Sequence, residues 1–155
     1  MALRPTFSRQ GVMQHVLQEV QKYEKAIIQE LTYLGLQCVN QARTSGNYRD
    51  QTGNLRNSVG YVIVKDGVII KSNFKKSAQV TTASGGKSKG DGNGVVEGQA
   101  LAAELAKNYP KGFALIVVAG MNYAASVETR GRDVLSSAEK LAQQELPSML
   151  AKLKL

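Results

Sequence analysis

Apolar side chains recur every three or four residues from about Ser8 to Thr44, and no proline interrupts them. This spacing is the period of an α-helix, so the segment is predicted to form one long helix. Such a helix extends about 50 Å, which is more than a small domain can cover. We therefore expect part of it to project, to lie across a sheet or to pack against another subunit. The apolar stripe, which we expect to be one continuous buried line, consists of Val12, Val16, Val20, Tyr23, Ile27, Leu31, Leu34, Cys38 and Ala42.

The composition predicts a single globular domain over residues 1–155, with residues 1–8 as a tail. Hydrophobic residues make up 43% of the 155, aromatic residues only 6%, and Trp is absent, so we expect an aliphatic core. The one cysteine, Cys38, excludes an internal disulfide, and its place on the apolar stripe favours a small core residue over a nucleophile. The formal net charge of +8 favours acidic surfaces or nucleic acid as partners.

No apolar run in the tail has the length that a signal peptide requires, and no segment has the length to cross a bilayer. We therefore expect no membrane partner, and a protein that is made in the cytoplasm and stays there or leaves with a particle. The one histidine, His15, has no cysteine or carboxylate at ligand spacing, so we interpret it as a surface residue.

The helical pattern stops before Asp50-Gln51-Thr52-Gly53-Asn54-Leu55-Arg56-Asn57-Ser58, and Gly46 is expected to end the helix in a left-handed conformation. Asp50, Thr52 and Asn54 have short side chains that can accept hydrogen bonds from nearby backbone N–H groups. Gly53 permits a positive φ, and Leu55 would point into the core. We favour a structural role at this helix-to-strand junction over a direct binding role.

Alternating β-type residues follow the junction. Val59 to Val64 and Val68 to Ser72 flank a Lys65-Asp66-Gly67 turn, which predicts an antiparallel hairpin. Val95 to Asn108 is predicted to be a helix with a start weakened by Gly98. The apolar run from Phe113 to Ala119 predicts a central strand buried on both faces.

The last quarter predicts a short helix, a short strand and a final helix. Asn122 is expected to cap the short helix, and Gly131 is expected to stop it. Residues Arg132 to Leu135 are predicted to form the short strand. Ser136 with Glu139 matches a capping box for the final helix, which Pro147 should kink or split. The predicted fold class is α+β, with a long N-terminal helix and a C-terminal helix packed on a small, mostly antiparallel sheet.

Residues 73–94 are predicted to form a long flexible basic loop, because lysine, serine, threonine, glycine and alanine dominate there. The segment Ser84 to Gly90 lacks the spacing of a phosphate-binding loop. Two interpretations stay open for the lysines, a solvated loop and a contact with DNA or a partner. The lysines concerned are Lys71, Lys75, Lys76, Lys87 and Lys89.

No metal-ligand cluster, nucleophile–base pair at local spacing or nucleotide fingerprint is visible, so we predict neither a cofactor nor an enzyme. Glu128 and Arg130 have no second carboxylate or histidine patterned with them, and we interpret them as surface or interface charges.

The order of two motifs resembles a family of head–tail joining proteins of long-tailed bacteriophages, also described as neck, tail-completion or minor tail components. One motif is Asp-x-Thr-Gly-Asn-Leu-Arg-x-Ser before a β-branched strand, and the other is Asn-Tyr-Ala, then Val-Glu, then Gly, then Val134-Leu135 before a final helix. The residues that carry the two motifs are Asp50, Thr52, Gly53, Asn54, Leu55, Arg56, Ser58, Asn122, Tyr123, Ala124, Val127, Glu128 and Gly131.

The resemblance implies a structural virion protein of a phage or prophage, assembled in the bacterial host cytoplasm. Copies would form a closed ring around the DNA channel, between the connector above and the tail tube below. The alternative is a small basic nucleic-acid-binding accessory protein that acts through its lysine-rich loop.

Overall fold

The computed structural model describes residues 8–48, 50, 52–76, 80–81, 87–88 and 92–153. Five helices and five strands are present in these ranges, and the predicted α+β fold is confirmed. In chain order they are α1 (Arg9–Ser45), α2 (Asn54–Ser58), β1 (Val59–Lys65), β2 (Val68–Asn73), β3 (Val80–Thr81), β4 (Lys87–Ser88), α3 (Asn93–Ala106), β5 (Phe113–Ala119), α4 (Ala124–Thr129) and α5 (Ser136–Lys152).

The main sheet has the order β2-β1-β5, and both pairings are antiparallel. The predicted hairpin is confirmed, because Asp66 and Gly67 both have positive φ, as a tight two-residue turn requires. β1 is the central strand, with Tyr61 and Ile63 packed on the α1 and α5 side and Val62 and Val64 packed on the α3 side.

β5 is an edge strand of this sheet, so its prediction as the central strand is wrong. Its side chains still pack on both faces, with Leu115 and Val117 toward α1 and α5 and Ile116 and Val118 toward α3. A continuous apolar run reports burial of the two faces of a strand. It does not report how many neighbours the strand pairs with.

α1 begins where Ser8 Oγ accepts a hydrogen bond from the Gly11 N–H at 3.0 Å. Its C-terminal half is buried against the sheet and α5, but Val12, Val16, Val20 and Tyr23 in its N-terminal half are 46–50% exposed. The expectation that part of the helix projects is confirmed. The expectation of one continuous buried line is wrong for the N-terminal half, since no described element packs on these side chains.

Gly46 has φ −56° and ψ 111°, so its predicted left-handed conformation is wrong. The chain leaves α1 in an extended direction, and the ring of Tyr48 packs against Gly46. A Cβ atom at residue 46 would lie 2.5 Å from Tyr48 Cε1. The glycine is therefore explained by close packing.

α3 packs closely on the ends of α2, β1 and β5 through glycines. A Cβ atom at Gly98 would lie 2.5 Å from the carbonyl oxygen of Ser58, and one at Gly120 would lie 2.3 Å from the Gly98 nitrogen. A Cβ atom at Gly94 would lie 2.1 Å from the carbonyl oxygen of Asn54, so the backbone of α2 leaves no room for a side chain there. These three positions hold α3 against the junction that precedes β1.

The predicted strand at Arg132 to Leu135 is wrong, since these residues belong to no strand. Their polar groups bond to side and main chains of the α1–α2 connection instead, with the Asp133 N–H donating to Asn47 Oδ1 at 2.8 Å. The predicted capping box at Ser136 is also wrong, because Leu135 is the N-cap and makes no side-chain cap. α5 continues through Pro147, so the proline does not split it.

Within the predicted basic loop, β3 and β4 pair antiparallel as a two-stranded sheet. Residues 77–79, 82–86 and 89–91 of the predicted flexible loop lie outside the described part of the chain. α3 already begins at Asn93, so the predicted segment extends slightly too far.

Candidate functional site

The two sequence motifs meet at one cleft of about 590 Å³. They meet because β1 and β5 pair with Val59 opposite Ala119, which places the residues before β1 beside those after β5. Ser58 joins the two directly, since its Oγ and carbonyl oxygen accept hydrogen bonds from Met121 N and Gly120 N, both at 3.3 Å. The cleft is lined by Tyr48, Asp50, Thr52, Asn54, Leu55, Met121, Tyr123, Val127 and Arg130.

The Asp50 carboxylate organises the first motif. It is buried, and its two oxygens accept the backbone N–H groups of Gly53 and Arg56, each at 2.9 Å. Gly53 has φ 84°, so the positive φ predicted for it is confirmed. Thr52 Oγ1 accepts the N–H of Asn54 at 3.3 Å, and Leu55 is buried, as predicted. The structural interpretation of this stretch holds for these residues.

The Asn54 side chain does not accept the hydrogen bond from a backbone N–H group that was predicted for it. Its side-chain oxygen is buried without a hydrogen-bond partner in the described part of the chain. The Tyr48 hydroxyl is also buried, and the Arg56 side chain interacts with it at a distance too long for an ordinary hydrogen bond. The two residues are 7% and 8% exposed, and both line the cleft. Buried polar atoms in native proteins are normally paired, so the Asn54 oxygen is an exception.

The electrostatics of the cleft keep its phenols protonated. Burial raises the pKa of Tyr48, and the Asp50 charge acts in the same direction, while the nearby Arg56 and Arg43 guanidinium groups oppose it. Arg56 lies with its guanidinium carbon 6.0 Å from the centroid of the Tyr48 ring. Burial also raises the pKa of Tyr123, again with support from Asp50. A phenol with the ordinary pKa of about 10 is already protonated at neutral pH, and these shifts act in the same direction.

The second motif positions α4 and α5 relative to each other. Asn122 does not cap α4, because Tyr123 is the N-cap and no side-chain cap is made. Gly131 has φ 74° and ends the segment, as predicted. Ala124 is buried and Val127 packs against the core. Arg130 is exposed and lies at the rim of the cleft.

Glu128, interpreted from sequence as a surface or interface charge, caps the N-terminus of α5. Its Oε1 accepts the N–H groups of Leu135 at 3.1 Å and Ser136 at 2.9 Å, and the Ser136 hydroxyl at 2.7 Å. Asp133 Oδ1 adds a bond from Ser137 N at 3.1 Å. A carboxylate at this position satisfies free N–H groups and interacts favourably with the helix dipole. The interaction explains how Glu128 in α4 is joined to the start of α5.

We expect Glu128→Gln to lower the free energy of unfolding by about 1 kcal/mol at pH 7. Burial raises the pKa of Glu128, but the hydrogen bonds from Ser136, Leu135 and Val134 together lower it below its ordinary value. Such a carboxylate stabilises the fold above its unfolded pKa of about 4.3, and this contribution is lost as the pH falls through the lower folded pKa. Urea denaturation between pH 7 and 3 should therefore give a shallower pH dependence for the variant.

Glu139→Gln is the matched control, because Glu139 is exposed on the same helix and bonds only to the Gln143 side chain in the described structure. Its pH dependence should follow that of the wild type. An unchanged pH dependence in Glu128→Gln would contradict the capping role.

Three of the lysines predicted to contact DNA or a partner have described side chains and are not among the residues that line the cleft. Lys71, Lys75 and Lys76 are exposed on and just after β2, and we name these three residues the basic edge. The carbonyl of Lys75 is fixed by a hydrogen bond from Arg43 Nη2 at 2.7 Å. Lys87 lies in β4, and Lys89 lies outside the described residues.

Cys38 is buried, and its thiol donates to the carbonyl of Ala138 at 3.6 Å, which confirms it as a core residue. Burial raises its pKa, so the thiol stays protonated. Across the described ranges, no group of three or more histidine, cysteine or acidic residues could hold a metal ion. No helix in those ranges is both long and apolar enough to span a membrane.

Sequence reasoning missed Tyr48 as part of the cleft, although an aromatic residue two positions before Asp50 was a usable signal. No family model matches this chain, and neither the curated proteins nor the solved structures contain a match.

Proposed function

We propose that the protein is a structural virion component of a tailed phage or prophage, a neck or tail-completion protein that assembles as a ring between head and tail. The proposal starts from the two motifs that resemble the head–tail joining family. They lie far apart in sequence and line one cleft, so they form a single structural unit. The mechanism is assembly, in which the shape and the interfaces of the subunit do the work.

The observation that carries the proposal is the apolar surface of the projecting half of α1. Val12, Val16, Val20 and Tyr23 form what we name the projecting stripe, and Met13 and Leu17 beside it are 54% and 53% exposed. The same helical line is buried farther along, at Leu34, Cys38 and Ala42. Contiguous exposed apolar surface of this kind marks protein–protein contacts.

A helical segment without tertiary packing is only marginally stable in water. A partner packed on the projecting stripe would stabilise this half of α1 and remove its apolar side chains from water. A closed ring needs a heterologous interface, in which two different surfaces of the subunit meet. The projecting stripe would supply one of these surfaces, and the connector and tail-tube proteins would contact the open faces of the ring.

The test is the absolute mass of the purified chain by light scattering across a concentration series. Wild type is expected to form a closed oligomer, and Val16→Glu, at the centre of the stripe, is expected to weaken association by about tenfold or more because it buries a charge. Gln18→Glu adds the same charge on the opposite, polar face of α1 and should associate like wild type. Equal association of the two variants would contradict a role of the stripe.

The alternative function, a nucleic-acid-binding accessory protein, has the exposed basic edge in its favour. It predicts that a monomer binds a short DNA duplex and that log K falls with log salt by about 0.9 for each phosphate neutralised. Replacing Lys71, Lys75 and Lys76 with Ser should then abolish binding. If the mass of the purified chain increases only when DNA is added, and this increase disappears at high salt, the result would favour nucleic-acid binding over ring assembly.

A further inference from the structure

The edge of β5 that faces away from β1 carries unpaired backbone groups. At one end of the β1–β5 ladder the Gly120 N–H donates to the Ser58 carbonyl oxygen at 3.3 Å. At the other end the Asp66 N–H donates to the Gly112 carbonyl oxygen at 2.9 Å. Bonded and unbonded pairs alternate in an antiparallel ladder, so every second residue of β5 directs its N–H and C=O away from β1. In this register these residues are Phe113, Leu115, Val117 and Ala119, and no further strand pairs with them in the described part of the chain.

A groove of about 310 Å³ lies between β5 and α5, on the face of the sheet that α1 and α5 cover and that we name the helix face. Glu139 is the one charged residue that lines it, and this side chain is exposed. A strand added to β5 would direct every second side chain into the groove. The apolar walls are Leu115 and Val117 of β5 and Leu135, Ala138 and Ala142 of α5.

β2, at the other edge of the sheet, has a bare helix face. Val68 and Lys71 lie opposite Lys65 and Ile63, whose side chains are on the α1 side. Val68 is 63% exposed, and Ile70, which has no partner in the β1–β2 register, is 41% exposed. Lys71 is exposed and takes part in no ion pair within the described ranges. β2 therefore presents an apolar and basic surface that the described elements of its own chain leave uncovered.

We infer that β2 of a second copy pairs with the open edge of β5, beside α5, an inference that rests on the proposed self-assembly. α5 would then cover the bare face of that β2, with Val68 and Ile70 in the groove and Lys71 beside Glu139. The chain itself thus supplies a strand that matches the groove in polarity and in charge. The contact joins two different edges, so each copy keeps one of each for the next subunit, as a ring requires.

The order of residues along the two strands agrees with this pairing. α5 can cover β2 only if both copies turn their helix faces to the same side. β2 and β5 run in the same direction within one copy, since each is antiparallel to β1, so the two strands would pair in parallel. Leu146 shares a pocket with Phe113 at the start of β5, and Glu139 lines the groove farther along. Val68 precedes Lys71 in β2 in the same order.

The experiment reverses the two charges in the full-length chain. Lys71→Glu and Glu139→Lys each replace an ion pair by a like-charge pair, and each alone should weaken association about tenfold in light scattering. An equal mixture of the two variants should associate like wild type, because every contact between unlike copies again pairs opposite charges. Lys107→Glu and Glu104→Lys are the matched controls, since both residues are exposed at the end of α3, on the opposite face of the sheet. They should associate like wild type.

Hydrogen exchange tests the backbone pairing. The amides of Leu115 and Val117 should exchange about tenfold or more slowly in the wild-type oligomer than in Lys71→Glu at the same concentration, because they gain a strand partner. The amides of Ile116 and Val118 already face β1 and should not differ between the two samples.

An oligomer that is indifferent to both charge reversals would overturn the inference and leave the proposed function standing. A mixture that does not recover association, or equal exchange of the Leu115 amide in both samples, would also overturn it. A wild type that is monomeric at every concentration would overturn the inference and the ring proposal together. Weak association of Lys71→Glu with normal association of Val16→Glu would support the strand pairing and contradict the role of the projecting stripe.

Discussion

Gly98→Ala is expected to lower the free energy of unfolding by about 3 kcal/mol, the upper end of the usual cost of overpacking. The added Cβ would lie 2.5 Å from the Ser58 carbonyl oxygen and 2.7 Å from the Phe74 ring. The phenyl ring can turn away, but the carbonyl oxygen belongs to the α2–β1 junction and also accepts a hydrogen bond from Gly120 N. α3 would have to move away from the junction, which would open the core between α3 and the sheet.

Chemical denaturation followed by far-UV circular dichroism measures this change. Gly11→Ala is the matched control, because Gly11 is also helical but exposed, and among the described residues only Ser8 Oγ lies near the added Cβ, at 3.3 Å. It should leave stability unchanged or raise it by up to about 1 kcal/mol through helix propensity. If Gly98→Ala were as stable as wild type, the close packing of α3 on the junction would be wrong.

Asp50→Ala is expected to lower the free energy of unfolding by about 3 kcal/mol. The substitution leaves the N–H groups of Gly53 and Arg56 without their acceptor, and hydrogen bonds to a charged group contribute about 1.5–3 kcal/mol each. The turn that places Asn54 and Leu55 would lose its anchor. Thermal unfolding and the chemical shifts of the Gly53 and Arg56 amides report the global and the local change.

Asparagine substitutions at two positions separate burial from the hydrogen bond. Asp66 also accepts one backbone N–H, from Gly112 at 2.8 Å, but it is exposed and uses one oxygen there. Asp66→Asn retains that acceptor and tolerates the positive φ, so stability should change by less than about 0.5 kcal/mol. Asp50→Asn places an amide NH₂ against one of two backbone N–H groups and should cost about 2 kcal/mol. Equal effects at the two positions would contradict the anchoring role of Asp50.

The features predicted correctly from sequence depend on neighbours along the chain. α1 follows from apolar spacing, the β1–β2 hairpin from Asp66-Gly67, the positive φ of Gly53 from the residue type, and the end of the short helix from Gly131. Several of the wrong predictions concern partners distant in sequence. The expected cap at Ser136 is absent because Glu128, eight residues earlier, already occupies the free N–H groups at the start of α5.

The helical period, the turn chemistry and the two motifs can be derived from the amino-acid order, because each depends on interactions within a few residues. The position of β5 at the edge of the sheet, the place of Tyr48 in the cleft and the exposure of half of the α1 stripe depend on how distant segments pack. Strand pairing and burial are set by which surfaces of distant segments meet. An apolar pattern states that a residue prefers to be buried, but not which part of the chain, or which other chain, buries it.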